Sequence, residues 1–463
     1  MGRALPAPSE LMRIAWTGTD LTSSLEAEQA LLDRYVRTPF TLSHVPIDLP
    51  ELNLGTERIR TLELNADAEG VPIVWMHGAG AGLGFGYSSF SWLAELGGTR
   101  RRVLALDFLG QANSSRPPFP YGDRTGHDFT TAGAFEAALR WFLISLDKWR
   151  QALAIDRMQL IAHSTGSFVA SHYAIAYPSR VSALVLHSAA GLTRHPAPMP
   201  RDDESEHAEH GEHHGEHHGE HHGGQGGHHR QQHRKEKKIH KYMQMEATKE
   251  ATKEATKEAT KEATKEAEGK EAESTLRQLL MGRKWWPRQL RTHLMEGVLN
   301  TLWDRGHLNF GLLQKMGRLG YEPTRRRFLG FAKRRLGIED DEERAKLFEY
   351  FYQEINAQRL SADAWVNALL RPVRGIVRGE ATRGIYGRRP LAAEPKEVLE
   401  RMPPTTVIYG TADWMWSPAV EDAVEEIGGT LHIVEGGKHH LYLDHPQEFR
   451  ALVESALLHP EAQ

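Results

Sequence analysis

The residues of this chain that could do chemistry sit where apolar runs end. Ala162-His163-Ser164-Thr165-Gly166 follows the apolar run Met158 to Ala162 and opens an amphipathic run that ends at Tyr177. A serine in a sharp turn between a strand and a helix, flanked by small residues, has its hydroxyl exposed at the strand end, where a nucleophile is needed. Ala162 stands where a glycine is usual, which suits a position that needs smallness more than positive φ. The plainer reading makes Ser164 a helix N-cap. His77-Gly78-Ala79-Gly80-Ala81-Gly82 follows the apolar run Val74-Trp75-Met76. Such a turn can aim backbone N–H groups at a developing oxyanion, with Ala79 as one donor and Thr165 as the other. It lacks the Gly-Lys-Ser/Thr ending of a P-loop and the spacing of a dinucleotide-binding turn. Asp413 ends the run Thr405 to Tyr409, and His439 and His440 follow the run Thr430 to Val434. One of these histidines would take the Ser164 proton, and Asp413 would hold its tautomer.

Serine, acid and histidine in that chain order is the order of α/β-hydrolases. The elements needed to position them are legible. Strand-like runs occur at Arg58 to Leu64, Pro72 to Met76, Arg102 to Asp107, Met158 to Ala162, Ser182 to His187, Thr405 to Tyr409 and Thr430 to Val434. Most are continuously apolar, as in a sheet covered on both faces. Helical patterns at Phe135 to Leu153, Gly166 to Tyr177 and Pro418 to Ile427 alternate with them. The expected fold class is α/β: a mostly parallel, doubly wound sheet with a helical cap inserted between core strands. The expected organisation is an N-terminal extension over 1–56, a core over 57–193 and 403–463, and a helical cap over 194–402.

Within the cap, residues 201–273 hold 13 Lys+Arg, 18 Asp+Glu and 12 His with almost no large apolar residues. His-Gly-Glu repeats pass into a Glu-Ala-Thr-Lys repeat. A four-residue period drifts around a 3.6-residue helix, so no apolar face accumulates and the tract is expected to lie outside any core. Its histidines read as a neutral expansion or an adventitious chelator, since clustered imidazoles without fixed geometry select no metal.

The whole chain has 463 residues, 57 Lys+Arg against 61 Asp+Glu, and no Cys. Disulfides and cysteine-ligated zinc are thereby excluded, and no metal or organic cofactor is expected. Without the tract the chain is close to neutral, so no nucleic-acid partner is expected. No apolar run reaches the roughly 18 to 20 residues of a membrane span, and Met1 to Trp16 lacks a signal-peptide apolar region. The expected location is intracellular, soluble or peripheral on a membrane.

From Trp16 to about Phe449, the repeat tract aside, the sequence resembles the family of α/β-hydrolase domain proteins 4 and 5 together with the fungal cardiolipin deacylases. The likeness lies in Leu25-Glu26-Ala27-Glu28, the His77 to Gly82 loop, Asp107-Phe108-Leu109-Gly110, Ser114-Ser115-Arg116-Pro117, the Ser164 turn, Tyr177 to Val181, Phe310 to Gly320, Asn356-Ala357-Gln358 and His439 to Asp444. The last is the family's H-x4-D motif, and it selects His439 over His440. Thr165 and Ser167 stand where Leu and Gly are usual. The resemblance implies an enzyme of acyl glycerophospholipids at a membrane or lipid-droplet surface, with mitochondrial association compatible. It also brings in two alternatives: acyl transfer to a lysophospholipid, and a non-catalytic co-activator role, known for a member with Asn at the nucleophile. Asp444 has a plainer reading as a cap of the helix that starts at Pro446.

Between Arg277 and Arg335, 14 Lys+Arg face three acidic residues. Trp285, Trp286, Arg325, Arg326 and Arg327 belong to this stretch. Arg interleaved with aromatics fits a surface facing anionic lipid headgroups, the alternative being a cap whose charges pair internally. The expected function is thus a serine lipid acyl hydrolase using Ser164, Asp413 and His439, with Ala79 and Thr165 as oxyanion donors. His77, Gly78, Gly80, His163, Gly166 and Asp444 shape the loops around them.

Overall fold

The computed structural model describes residues 21–119, 129–195, 197–198, 321–356, 365–377 and 380–459. The repeat tract and Trp285 and Trp286 lie outside the described residues. In chain order the strands are β1 (Phe40–Asp48), β2 (Thr56–Leu64), β3 (Ile73–Met76), β4 (Val103–Leu106), β5 (Met158–His163), β6 (Val181–His187), β7 (Ala197–Pro198), β8 (Leu370–Val377), β9 (Glu380–Gly387), β10 (Thr405–Gly410) and β11 (Thr430–Val434). Eight of them form one sheet in the order β1-β2-β4-β3-β5-β6-β10-β11. Only β2 runs against the others, pairing antiparallel with both β1 and β4. Every residue of β3, β4, β5 and β10 is buried, because helices cover both faces.

On one face lie α3 (Ala132–Ala152), α4 (Thr165–Ala176) and α7 (Ala419–Glu426), packed through Phe135, Phe142, Phe168 and Val424. On the other lie α1 (Leu21–Tyr35), α2 (Tyr87–Leu93) and α8 (Pro446–Leu458). The cap helices α5 (Tyr321–Phe331) and α6 (Asp341–Asn356) extend that second layer, burying Phe328, Phe348 and Tyr350 in the same apolar cluster. Helix α3 starts where the Thr131 hydroxyl accepts the Ala134 N–H. Its two indoles are buried with their N–H groups satisfied, Trp141 by the Leu109 carbonyl and Trp149 by the Thr61 hydroxyl, both at 2.9 Å.

Two features depart from the sequence reading. Strand β1, placed there in the N-terminal extension, is paired with β2 from Phe40 to Asp48 and forms the sheet edge. It carries Pro46 and alternates exposed residues first with half-buried ones and then with buried Val45 and Ile47, as an edge strand with one face on the core does. The cap is also not helical throughout: β7, β8 and β9 make a separate antiparallel sheet. In β8 basic and β-branched residues share one short run, so the Arg content masked a strand signal.

Helix α1 is pinned to the sheet by a buried ion pair. Glu28 is fully buried, Arg60 of β2 reaches its carboxylate at 2.6 Å, and Asn113 Nδ2 donates to it at 2.9 Å. Removing one partner of such a pair strands the other charge in a low dielectric. Glu28→Ala is therefore expected to cost about 3 to 5 kcal/mol in denaturant unfolding. Arg34→Ala, which breaks the exposed pair with Glu342, is expected to leave the unfolding midpoint unchanged.

Candidate active site

Ser164 lies between the end of β5 and the start of α4 with φ 52° and ψ −118°, a backbone conformation that L-residues resist. Neighbouring strands hold it there. Its N–H donates to the His187 carbonyl at 3.1 Å, and its carbonyl accepts from Ala190 N at 3.0 Å and Ser167 N at 3.1 Å. Helix α4 can leave this turn directly beneath β3 only because residue 166 is glycine, since a methyl there would overlap the His77 carbonyl oxygen. Gly78 is equally confined: a methyl would lie 3.0 Å from both Ser164 Cβ and His163 Nδ1. Ser167 is accommodated by donating its hydroxyl to the Ala162 carbonyl at 2.7 Å.

The structure brings Ser164, His439 and Asp413 together. His439 Nε2 stands 3.1 Å from Ser164 Oγ, and His439 Nδ1 stands 2.9 Å from Asp413 Oδ1. With Nδ1–H donated to the carboxylate, Nε2 is left unprotonated toward the serine hydroxyl. Burial works to raise the Asp413 pKa, but attraction and hydrogen bonding from His439 and the Met415 N–H hold it below the ordinary aspartate value. The Asp413 and His439 loops are laced to each other: Ala412 N donates to Gly437 O at 2.9 Å and Gly436 N to the Thr411 hydroxyl at 2.8 Å. Their backbones pass so closely that a methyl on Gly410 would overlap the Gly437 carbonyl.

His440 does not reach the serine; its Nδ1 meets the Tyr442 hydroxyl at 2.9 Å. Asp444 does not cap α8, whose N-cap is His445 without a side-chain cap bond. Its Oδ2 instead accepts the Lys438 N–H at 2.8 Å, fixing the residue before His439. Ala79 is half-buried on the glycine loop and Gly80 has φ +67°. The Thr165 N–H opens α4, where no preceding turn supplies a carbonyl. His77 is locked as a neutral tautomer: Nε2 accepts the Phe108 N–H at 3.2 Å, so the proton sits on Nδ1, which donates to Gly78 O at 2.7 Å. Arg325, Arg326 and Arg327 lie on α5, with Arg326 and Arg327 exposed.

Sequence reasoning missed the packing behind the base. His163 Nε2 donates to the His439 carbonyl at 2.9 Å, and the His163 ring stacks on that of His187 at 4.8 Å. His187 is fully buried against Trp75, Tyr442 and Phe449, with neither ring nitrogen partnered among the described residues. A histidine ending an otherwise apolar strand beside the nucleophile strand was the available signal. On the outer side Trp414, 46% exposed, lies with its ring 5.0 Å from that of His439. Among the described residues no group of three His, Asp or Glu side chains converges at metal-ligand spacing, and no helix is long and apolar enough to cross a membrane.

A family model described as the alpha/beta hydrolase fold matches residues 71–209. A 1-acylglycerol-3-phosphate O-acyltransferase of Arabidopsis thaliana is 31% identical over 191 residues, 39% of this chain and 42% of that protein. The human 1-acylglycerol-3-phosphate O-acyltransferase ABHD5 is 32% identical over 179 residues, 38% of this chain and 45% of its own length. A (lyso)-N-acylphosphatidylethanolamine lipase of Bos taurus is 35% identical over 126 residues, 27% of this chain and 32% of its own. The chain thus spans less than half the length of these curated relatives. Among solved structures, a membrane phospholipase A aligns over 96% of this chain and 92% of its own, with TM-score 0.47 and 16% identity.

Buried imidazoles make the fold acid-sensitive. Burial depresses His77 to about 4, and burial reinforced by His439 depresses His163 to about 3, while His187 is held well below the ordinary value by burial and by His163. Each is neutral in the fold but protonated in the unfolded chain below about 6.5, so its contribution to stability is lost as pH falls from there toward its folded pKa. Replacing His187 by Phe, of similar shape, should reduce the loss of unfolding free energy over pH 6.5 to 4.5 by about 1.4 kcal/mol per pH unit. Denaturant unfolding at several pH values measures this, and an unchanged slope would mean that His187 titrates normally.

Proposed function

With the chain placed among the α/β-hydrolase-domain proteins, we propose that it is a serine lipid acyl hydrolase cleaving a fatty-acyl ester of a glycerophospholipid. The observation that carries this reading is the continuous hydrogen-bonded line from Ser164 Oγ through both nitrogens of His439 to Asp413. Ser164 attacks the ester carbonyl as His439 takes its proton, and the Ala79 and Thr165 N–H groups receive the charge on the carbonyl oxygen. His439 then protonates the leaving alkoxide, and water, deprotonated by the same imidazole, releases the fatty acid. Asp413 stays ionised throughout and orients the ring. The lipid substrate is supported by the names of the relatives, two acyltransferases of acylglycerol phosphate and one phospholipid lipase. Those names also favour a second reading, in which a lysophospholipid hydroxyl replaces water as acceptor. The presence of Ser164 weighs against a non-catalytic co-activator.

The exposed cations of the cap suit an anionic lipid surface. Arg326, Arg327, Lys333, Arg334 and Arg335 are exposed on α5 and the turn after it, around Phe331, which is 43% exposed. An apolar ring among guanidinium groups can enter an interface while the charges meet headgroups, each adding up to about 1 kcal/mol.

An active-site-directed fluorophosphonate should label the protein once, and Ser164→Ala should abolish the label; a labelled Ser164→Ala protein would remove the enzymatic reading. Ser164→Ala and His439→Ala should each lower ester hydrolysis by roughly 10⁴ to 10⁶. Product analysis with added lysophospholipid separates the readings, free fatty acid marking hydrolysis and a diacyl product marking transfer. Separately, binding to liposomes rich in an anionic phospholipid should exceed binding to zwitterionic ones. It should weaken between 0.1 M and 1 M salt, as the Debye length falls from about 10 to 3 Å. Changing Arg325, Arg326 and Arg327 to Gln should lower that binding and spare turnover of a soluble ester. Binding indifferent to lipid charge and salt would mean that the cap charges serve internal pairing.

A further inference from the structure

The glycine loop after β3 is supported from beneath by buried polar groups drawn from three parts of the chain. Asp107, following β4, is fully buried, and its carboxylate accepts the Leu83 N–H at 2.6 Å on one oxygen and the Asn113 N–H at 2.9 Å on the other. Tyr350, fully buried on the cap helix α6, accepts the Gly84 N–H at 3.2 Å through its hydroxyl and is hydrogen-bonded to the Glu354 carboxyl. Gly82 lies between these two supports: a methyl there would overlap the Tyr350 hydroxyl and lie 3.1 Å from Asp107 Oδ1. The loop therefore fits Asp107 and Tyr350 with no spare volume. Its other end is tied to the same place, since Phe108, next to Asp107, donates its N–H to His77. Ala79 lies on the span between the two ties.

Resting on the reading of Ser164 as nucleophile, we propose that Asp107 and Tyr350 are positioning residues that set where the Ala79 N–H meets the oxyanion, and that Tyr350 makes cap helix α6 part of that setting. Neither side chain touches the substrate; each acts through a backbone N–H it holds. An oxyanion donor works only when aimed at the position the charged oxygen will occupy, and a loop shift of a fraction of an ångström is enough to lose it. The protonation pattern fits this role. Burial, then the charge of Asp107, pushes Glu354 well above the ordinary carboxyl range, whereas Asp107 is raised by burial and by Glu28 to about 7. The Leu83 and Asn113 N–H groups work against that rise at Asp107, each donating to one of its oxygens. Arg60 beside Glu28 and Arg116 beside Glu354 balance the remaining charge.

The test is Tyr350→Phe in the full chain, which keeps the ring and removes the acceptor for Gly84. On a soluble short-chain ester, kcat should fall by roughly 10- to 100-fold with KM within about twofold, since only the transition state uses the oxyanion donors. The rate at which a fluorophosphonate modifies Ser164 should fall by the same factor, because that reaction also develops charge on an oxygen in the hole. The melting temperature should stay close to that of the parent. Asp107→Asn is the second variant: its side chain cannot present an acceptor oxygen to both N–H groups, and the same split is expected. Unchanged kcat and labelling in Tyr350→Phe would overturn the proposal. So would a loss confined to KM, or a fall in kcat matched by a collapse of the melting temperature. A parent protein that neither labels nor hydrolyses would instead remove the serine hydrolase reading on which it rests.

Discussion

The backbone of Ser164 stands at φ 52° and ψ −118°, and nearly everything around the site follows from holding it there. Such a conformation costs on the order of 1 to 3 kcal/mol and persists only where its surroundings over-determine it. Here the restraint is symmetrical. The amide before the serine side chain is fixed by His187 at the end of β6, and the carbonyl after it by Ala190 just beyond the same strand. Smallness at Gly78 and Gly166 lets β3 and α4 close on the turn from two sides. A residue that cannot relax into α4 must project its hydroxyl outward, so strain in the main chain becomes orientation in the side chain.

Asp413 and His439 arrive from separate strands, yet neither loop is free to move alone. Backbone bonds from Ala412 to Gly437 and from Thr411 to Val434 join them, and the contact of Gly410 with Gly437 leaves no room for slippage. Asp444 fastens Lys438, and His163 fastens the carbonyl of His439 itself. His439 is therefore held at both its main chain and its ring. The residue that fastens it, His163, is the neighbour of Ser164, so displacing one displaces the other.

Much of this was legible in the sequence because it rests on local rules. Continuously apolar runs gave the interior strands to within a residue or two, and the chain order of Ser164, Asp413 and His439 could be read directly. Choosing His439 over His440 needed the family motif, since two adjacent histidines after one strand look alike until the loop closes. What escaped was decided by distant contacts. Strand β1 has the mixed polarity of an edge, and it belongs to the sheet only through its pairing with β2. Asp444 precedes a helix and so looks like a cap, but the Lys438 amide reaches it first. Glu28 on α1, Asp107 after β4, and Tyr350 with Glu354 on α6 come from three distant parts of the chain, and no spacing rule announces that these parts meet.

The crowding of His163, His187 and His440 behind His439 has an electrostatic consequence. His163 is the centre of the group, its ring 4.8 Å from those of His187 and His439 and 4.6 Å from that of His440. In the proposed mechanism His439 becomes a cation on taking the serine proton, and a second charged imidazole at that distance would oppose it in a poorly screened interior. Burial prevents this by keeping His163 and His440 neutral, through low pKa values that the positive charge of His439 lowers further. The pocket behind the base is thus polar in composition but uncharged in effect. The carboxylate facing the imidazolium is Asp413, on the side where His439 needs its proton held. A hydrophobic residue at His163 would also be neutral, but it would leave the His439 carbonyl without its donor. A histidine kept neutral supplies that donor without a competing charge.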